Sequence, residues 1–279
     1  MSDKKFVLAG VMGWPVAHTR SPVIHNHWIA AHGLKGSYVQ LPVKPENLEA
    51  ALRGLPALGF AGCNVTVPHK VSAMKLMDEL DPVAKRMAAI NTIVVLPDGR
   101  LKGFNNDGAG YIQSLRDADS NWRGDIGPAL VLGAGGAARA IVVALLDQGV
   151  PELRLTNRTQ DRAEALTAEF GSQVKVVPWS QRNEAMANVS LLVNTTTQGM
   201  HGQAPLDVEL DALPKAALVS DAIYIPLETP LLERARLRGH RTVNGLGMLL
   251  NQARPAFHAW FGVLPELTPE LRAAVQATF

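Results

Sequence analysis

Residues 129–140 read Ala-Leu-Val-Leu-Gly-Ala-Gly-Gly-Ala-Ala-Arg-Ala, and they constrain the fold more than any other stretch. The apolar run Ala129–Leu132 predicts a buried parallel strand that stops at Gly133. From Gly136 the residues turn small and then aliphatic, through Ile141, Val142 and Leu145, which predicts a helix. Gly133, Gly135 and Ala138 fit the G-x-G-x-x-A spacing of a dinucleotide-binding turn. Gly133 allows the tight turn, Gly135 lets the backbone approach a pyrophosphate, and Ala138 lets helix and strand pack closely. The phosphates then meet unpaired N–H groups at the positive end of the helix.

The spacing alone also fits a plain strand-to-helix turn, so its context matters. Gly149 and a second strand, Glu152–Thr156, follow the helix, and the strand ends at Asn157-Arg158-Thr159. A site for NAD carries an acid about 20 residues after the first glycine, where it holds the ribose 2′-hydroxyl. This chain has Asn157 and Arg158 at that place, with Arg162 one turn into the next helix. Guanidinium groups bind phosphate bidentately, so the pattern predicts a 2′-phosphate and hence NADP.

The 279 residues suit two domains. Hydrophobic residues make up 47% and charged residues 19%, enough apolar material for large cores. A net charge of +2, with no Lys/Arg block, points away from nucleic acid and anionic membranes as partners. Cys63 is the sole cysteine, which rules out an internal disulfide and fits a reducing compartment. No apolar run reaches the roughly 18 residues of a membrane span, and Phe6–Gly13 is short for a signal segment. The expectation is a soluble cytoplasmic protein.

Ahead of the glycine turn, strands are predicted at Phe6–Gly13, Ser37–Val43 and Gly59–Val67. Helices are predicted from Ser21-Pro22, with Ser21 as N-cap, over Pro45–Leu52, after His69-Lys70, and from Asp81-Pro82. Ile90–Leu96 and Leu101–Gly103 read as a hairpin. A helix beginning at Asn105-Asn106-Asp107-Gly108 and running to about Ala118 leads into the polar stretch Asp119–Gly127 and the nucleotide domain. Further strands fall at Val174–Val177, Ser190–Asn194, Leu218–Ala222 and Thr242–Val243. Helices at Gly247–Phe261 and after Thr268-Pro269 close the chain. The fold class is α/β, with two layers of mostly parallel strands.

Polar residues gather at predicted strand ends in the first half: Thr19 and Ser21, Asn64, Thr66 and Lys70, Asn91 and Thr92, then Asp107. Two hydroxyls, two amides, a lysine and an aspartate describe a site for a small polyhydroxylated acid. Each also has a plain structural reading, as helix cap, turn residue or solvated lysine. His18, His25, His27 and His32 suggest no metal, because His25 and His27 would point about 200° apart on a helix and no acid or cysteine joins them.

The chain resembles the shikimate dehydrogenase family over essentially its whole length. The resemblance rests on His18-Thr-Arg-Ser-Pro22, Asn64-Val-Thr-Val-Pro-His-Lys70, Ala89-Ile-Asn-Thr92, Gly103-Phe-Asn-Asn-Asp-Gly108, Gly133-Ala-Gly-Gly-Ala137, Asn157-Arg-Thr159, Asn194-Thr-Thr-Thr197, Tyr224-Ile-Pro226 and Gly245-Leu-Gly-Met-Leu-Leu-Asn-Gln252, in that order. It implies NADP-linked interconversion of 3-dehydroshikimate and shikimate, in aromatic amino-acid biosynthesis, by a monomer or homodimer. It implies a substrate domain over 1–108, with 245–279 packing back on it, and a Rossmann-type NADP domain over 109–244, with the site in the cleft between them.

By the same resemblance Lys70 and Asp107 are catalytic. Thr19, Ser21 and Tyr224 hold the substrate carboxylate, and Asn64, Thr66, Asn91 and Gln252 hold the substrate or its ring hydroxyls. Gly135, Gly136 and Ala137 face the pyrophosphate, and Asn157, Arg158, Thr159 and Arg162 face the adenosine phosphate. Thr195, Ala222, Gly245 and Met248 complete the cofactor set. A lysine ammonium beside the carbonyl oxygen stabilises growing negative charge and delivers a proton, and a nearby aspartate favours its charged form.

The sequence departs from the family pattern at Thr19, where serine is usual, at His69, where phenylalanine is common, and at Asn106, where threonine is common. Thr19 keeps quinate open as a substrate. A non-catalytic NADP-binding regulator and an unrelated Rossmann enzyme such as a folate dehydrogenase are the other readings. Lys70 and Asp107 argue against the former, and the ordered N-terminal blocks against the latter.

Overall fold

The computed structural model describes residues 5–168 and 170–279. The chain divides into two compact units, one taking residues up to Asn106 with Leu250–Phe279 and the other Asp107–Leu249.

In the first unit the order is β1 (Val7–Gly13), α1 (Ser21–Ala31), β2 (Gly36–Pro42), α2 (Leu48–Gly54), β3 (Phe60–Val65), α3 (Lys70–Met74), β4 (Glu79–Leu80), α4 (Pro82–Met87), β5 (Thr92–Val95) and β6 (Leu101–Phe104). The sheet runs β2-β1-β3-β5-β6-β4. Strands β2, β1 and β3 are parallel, and β5 is antiparallel to both β3 and β6. The β5–β6 hairpin is as the sequence predicts, but β5 is shorter. Ile90 N–H is drawn to the Lys70 carbonyl at 3.0 Å, and Leu96 N–H closes the turn on Arg100 O at 2.8 Å. The Asp81 cap also forms, its carboxylate accepting from Val83 N–H at 2.8 Å.

Ser21 is not the N-cap that the sequence suggests. Helix α1 starts on Ser21 itself, and Arg20 stands at the cap with no side-chain capping bond. Arg20 O accepts from Val23 and Ile24 N–H, closing the first turn. The Ser21 hydroxyl is engaged instead by Thr19, whose Oγ1 donates to it at 3.2 Å.

One face of this sheet packs Met12, Leu48, Leu52, Cys63, Val65, Ile90 and Ile93 into an aliphatic core. Burial pushes the Cys63 thiol up to about 12, so it stays a protonated core residue. Around α1 and β2 lies an aromatic nest. The His25 ring stacks on Tyr38 with centroids 4.1 Å apart and planes 3° apart, and meets Trp28 edge-on at 5.6 Å. Phe257 and Trp260 close it, from the helix Gly245–Phe261 described below.

His25 is fully buried, and neither ring nitrogen has a hydrogen-bond partner among the described residues. Burial lowers its pKa from 6.5 to about 3. Its contribution to stability is therefore whole above pH 6.5 and is lost as pH falls toward 3, because the unfolded chain takes up the proton first. Between pH 7.5 and pH 5 this loss is about 2 kcal/mol. His25→Phe keeps a flat ring and removes the titration. Urea unfolding at the two pH values should show the variant losing about 2 kcal/mol less than the native chain; equal losses would mean that His25 titrates normally.

The second unit is α5 (Asp107–Ala118), β7 (Ala129–Leu132), α6 (Gly136–Asp147), β8 (Leu153–Thr156), α7 (Gln160–Thr167), β9 (Val174–Val176), β10 (Leu191–Asn194), β11 (Leu218–Asp221), α8 (Pro230–Leu237) and β12 (Arg241–Val243). The sheet order is β12-β11-β10-β7-β8-β9, with every pairing parallel. This is the doubly wound order, whose switch point falls between β7 and β10. Ala129–Leu132 and Leu191–Asn194 are buried throughout, as strands covered on both faces must be.

Helix α9 (Gly245–Phe261) begins in the second unit, and Leu250 onward belongs to the first, with α10 (Pro269–Gln276). Trp260 Nε1–H donates to Ile93 O at 3.0 Å, and Trp28 Nε1–H to Glu266 O at 3.1 Å. Thr268 caps α10 through Leu271 N–H. No helix among the described residues is long and apolar enough to cross a membrane.

Candidate active site

In the first unit β1 and β3 are parallel, with Val11 opposite Asn64. The antiparallel β5 sets Thr92 opposite Asn64, and β6 sets Phe104 opposite Thr92. The ends of β1, β3 and β6 and the start of β5 therefore share one edge of the sheet. Thr19 and Ser21 follow β1, Asn64 and Thr66 end or follow β3, Asn91 precedes β5, and Asn105 and Asn106 follow β6.

The amides on this edge are bonded to one another. Asn64 Nδ2 donates to Asn91 O at 3.0 Å and to Thr92 Oγ1 at 3.1 Å. Thr92 Oγ1 also accepts from Asn106 Nδ2 at 3.1 Å and donates to Asn91 Oδ1 at 2.8 Å. Asn91 Oδ1 accepts a second bond from Asn106 N–H at 3.0 Å, and Asn91 Nδ2 donates to Gln252 Oε1 at 3.2 Å. The polarity is fixed by two backbone groups. Asn91 O can only accept, which orients the Asn64 amide, and Asn106 N–H can only donate, which orients Asn91. Gln252, half-buried on α9, must then receive Asn91 through its oxygen.

Lys70 is the first residue of α3 and half-buried. The preceding His69 is buried, and its Nε2–H donates to Val43 O at 2.7 Å, tying the start of α3 to the end of β2. Asp107 and Tyr224 lie in the second unit. Asp107 is buried and opens α5, and Tyr224 is half-buried in the loop after β11.

The second unit supplies a distinct cradle at its switch point. Gly133 has φ +109°, and a Cβ there would meet Thr195 Oγ1 at 2.6 Å. Thr195 Oγ1 itself donates to Leu132 O at 2.8 Å, fastening the β10 loop beside the turn. Gly135 and Gly136 are exposed at the start of α6, with nothing within 4 Å of an added Cβ. Ala137 is half-buried, and Ala138 is buried where α6 meets the sheet. Past β8, Asn157 Nδ2 donates to Thr159 O at 2.7 Å and shapes the turn that carries Arg158 and Arg162, both exposed. Open glycine N–H groups at a helix start and two guanidiniums without an acid at the strand end fit a pyrophosphate and a 2′-phosphate. Ala222 follows β11, and Gly245 opens α9 against Ala222 O, which a Cβ would approach to 2.1 Å. Met248 packs on the core of this unit.

Residues 11–93 match the family profile described as shikimate dehydrogenase substrate binding domain, and residues 125–201 match the profile described as shikimate / quinate 5-dehydrogenase. A shikimate dehydrogenase (NADP(+)) of Paramagnetospirillum magneticum is 54% identical over 268 residues, which cover 96% of this chain and 97% of the relative. The chain belongs to the shikimate dehydrogenase family. Another member, from Rhodospirillum rubrum, is 55% identical over 279 residues, covering 99% of both chains. Among solved structures, the Thermus thermophilus shikimate 5-dehydrogenase in complex with NADP(H) and shikimate superposes with a TM-score of 0.86 at 36% identity. That match covers 98% of this chain and all of the other. A Corynebacterium glutamicum quinate dehydrogenase in complex with NAD gives a TM-score of 0.90 at 28% identity, again over 98% and 100% of the two chains.

Compared with the shikimate dehydrogenase pattern read from the sequence, the structure brings Asn64, Asn91 and Gln252 into one network and joins Thr19 to Ser21. Thr92, also named among the strand-end polar residues, joins the network, and the structure adds Asn106 and, unforeseen, Tyr38, whose hydroxyl donates to Asn64 Oδ1 at 2.6 Å. Tyr38 stands inside a strand pattern that looks like ordinary core, so only the fold reveals its partner.

Proposed function

We propose that this chain catalyses the reversible, NADP-linked interconversion of shikimate and 3-dehydroshikimate. The observation that carries the reading is the oriented amide network on one sheet edge, next to Lys70 and the Thr19–Ser21 hydroxyls, in a chain of this family. A polyhydroxylated ring acid needs such an array of fixed donors and acceptors.

Thr19 and Ser21 hold the carboxylate. Asn64 spends both amide hydrogens inside the protein, so it serves the substrate as an acceptor through Oδ1. Thr66, Asn91, Gln252 and Tyr224 complete the substrate set. In the reductive direction Lys70 Nζ gives a proton to the carbonyl oxygen as that oxygen gains negative charge, and in oxidation it takes the proton back. Asp107 supplies the carboxylate of the catalytic set and accepts from a substrate hydroxyl. Bound NADPH supplies the hydride for the ketone carbon. The backbone of Gly133, Gly135, Gly136 and Ala137 would hold its pyrophosphate, and Asn157, Arg158, Thr159 and Arg162 its 2′-phosphate. Thr195, Ala222, Gly245 and Met248 would line the remainder. A cytoplasmic location accords with the single buried thiol, and light scattering would assign monomer or homodimer.

Incubation of 3-dehydroshikimate with NADPH and the protein tests the reaction. Equal consumption of both, with shikimate identified by proton NMR, is expected; no shikimate would refute it. Arg158→Asp should lower kcat/KM for NADP⁺ roughly 30-fold, equivalent to about 2 kcal/mol, and leave that for NAD⁺ within about threefold. Equal losses with both cofactors would remove the 2′-phosphate from the Arg158 account.

A further inference from the structure

Tyr38 is 2% exposed and belongs to the edge strand β2, yet it is held from every side. Asn26 of α1 clamps its backbone: Asn26 Nδ2 donates to Tyr38 O, and Tyr38 N–H to Asn26 Oδ1, both at 2.9 Å. Its ring lies flat against His25 and 6.0 Å from Trp260. Burial raises the hydroxyl well above the ordinary tyrosine range, with the Ser21 hydroxyl opposing, so the group remains a proton donor. The donor is spent on one atom, Asn64 Oδ1, at 2.6 Å.

That atom is the one part of Asn64 not committed to the backbone or to Thr92. We propose that Tyr38 is a positioning residue for the substrate, its buried hydroxyl locking the Asn64 amide in the orientation that leaves an acceptor lone pair for a ring hydroxyl. The aromatic nest then has a task beyond packing, because it fixes where that hydroxyl sits. The inference rests on the dehydrogenase reading above.

Tyr38→Phe keeps the ring and removes only the hydroxyl. We expect KM for shikimate to rise about tenfold, with kcat and KM for NADP⁺ within about twofold. A double-mutant cycle with Asn64→Ala gives the decisive readout. If Tyr38 acts through Asn64, its effect on kcat/KM disappears in the Asn64→Ala background. An undiminished tenfold effect there would overturn the proposal, as would an unchanged KM in the single variant. The Asn64 side-chain NH₂ signals in a ¹⁵N spectrum, assigned by their loss in Asn64→Ala, report the contact without any turnover. They should shift and exchange faster in Tyr38→Phe, and unchanged signals would overturn the role of Tyr38. Failure of the native protein to oxidise shikimate would instead sink the dehydrogenase reading, and the amide signals would still decide the contact. If Tyr38→Phe does not fold, 3-fluorotyrosine at position 38 keeps ring and hydroxyl and makes the hydroxyl a stronger donor; a shift of the Asn64 amide signals supports the contact, and no shift overturns it.

Discussion

Lys70→Ala is expected to lower kcat for shikimate oxidation about a thousandfold while changing KM by less than about threefold. Negative charge builds on the reacting oxygen only as the transition state is reached, so a group that answers that charge acts on kcat. Nothing else on the sheet edge replaces it, because the network of Asn64, Thr92, Asn91 and Gln252 is made of neutral amides and a hydroxyl. The fold should be unaffected, since Lys70 is half-buried at the first position of the five-residue helix α3. Steady-state kinetics with saturating NADP⁺ checks this. A large rise in KM at unchanged kcat would recast Lys70 as a binding residue.

Gly62→Ala is expected to cost about 4 kcal/mol of stability and lower Tm by roughly 10 °C. Gly62 sits at φ +154°, and an added Cβ would stand 2.0 Å from Ile93 O and 2.4 Å from Trp260 Nε1. Those two atoms are bonded to each other at 3.0 Å, so the methyl strikes the point where β5 and α9 are joined. The β1–β3 register also shifts here, Leu8 pairing with Phe60 but Ala9 with Gly62, which makes the position a bulge. Relief would require β5 to move, and the neighbouring Asn64–Thr92 pair would move with it. Gly33→Ala is the control, because Gly33 has φ +57° but nothing within 4 Å. It should cost only about 1 kcal/mol, the backbone strain alone. Thermal unfolding compares the two, and equal small losses would mean that β3 and β5 have room to part.

The nucleotide unit was legible because its signals are local. A buried four-residue run, glycines at fixed spacing and an aliphatic helix all fall between Ala129 and Leu145, and the arginines stand where a ribose-binding acid would otherwise be. The first unit was less so. Strand β4 is two residues, Glu79 and Leu80, too short for any periodicity, and exists only through its pairing with β6. Ser21 and Pro22 match a helix start, yet the first-turn N–H groups of Val23 and Ile24 bond to Arg20 O, which puts the cap at Arg20. Polar residues at strand ends could be picked out as candidates, but their bonding could not. Asn64 meets Thr92 across 28 residues and Asn91 meets Gln252 across 161, distances over which no sequence pattern acts. Tyr38 illustrates the limit: its alternation in β2 predicts burial, and only the sheet order and the aromatic nest show what its hydroxyl reaches.

Measurement of kcat/KM for shikimate and quinate, each with NADP⁺ and NAD⁺, followed by the absorbance of the reduced nicotinamide, decides both the substrate and the cofactor. Shikimate with NADP⁺ is expected to exceed every other pair by at least about tenfold. Cofactor binding with no turnover of either acid would contradict it and leave a nucleotide-binding protein of the same fold.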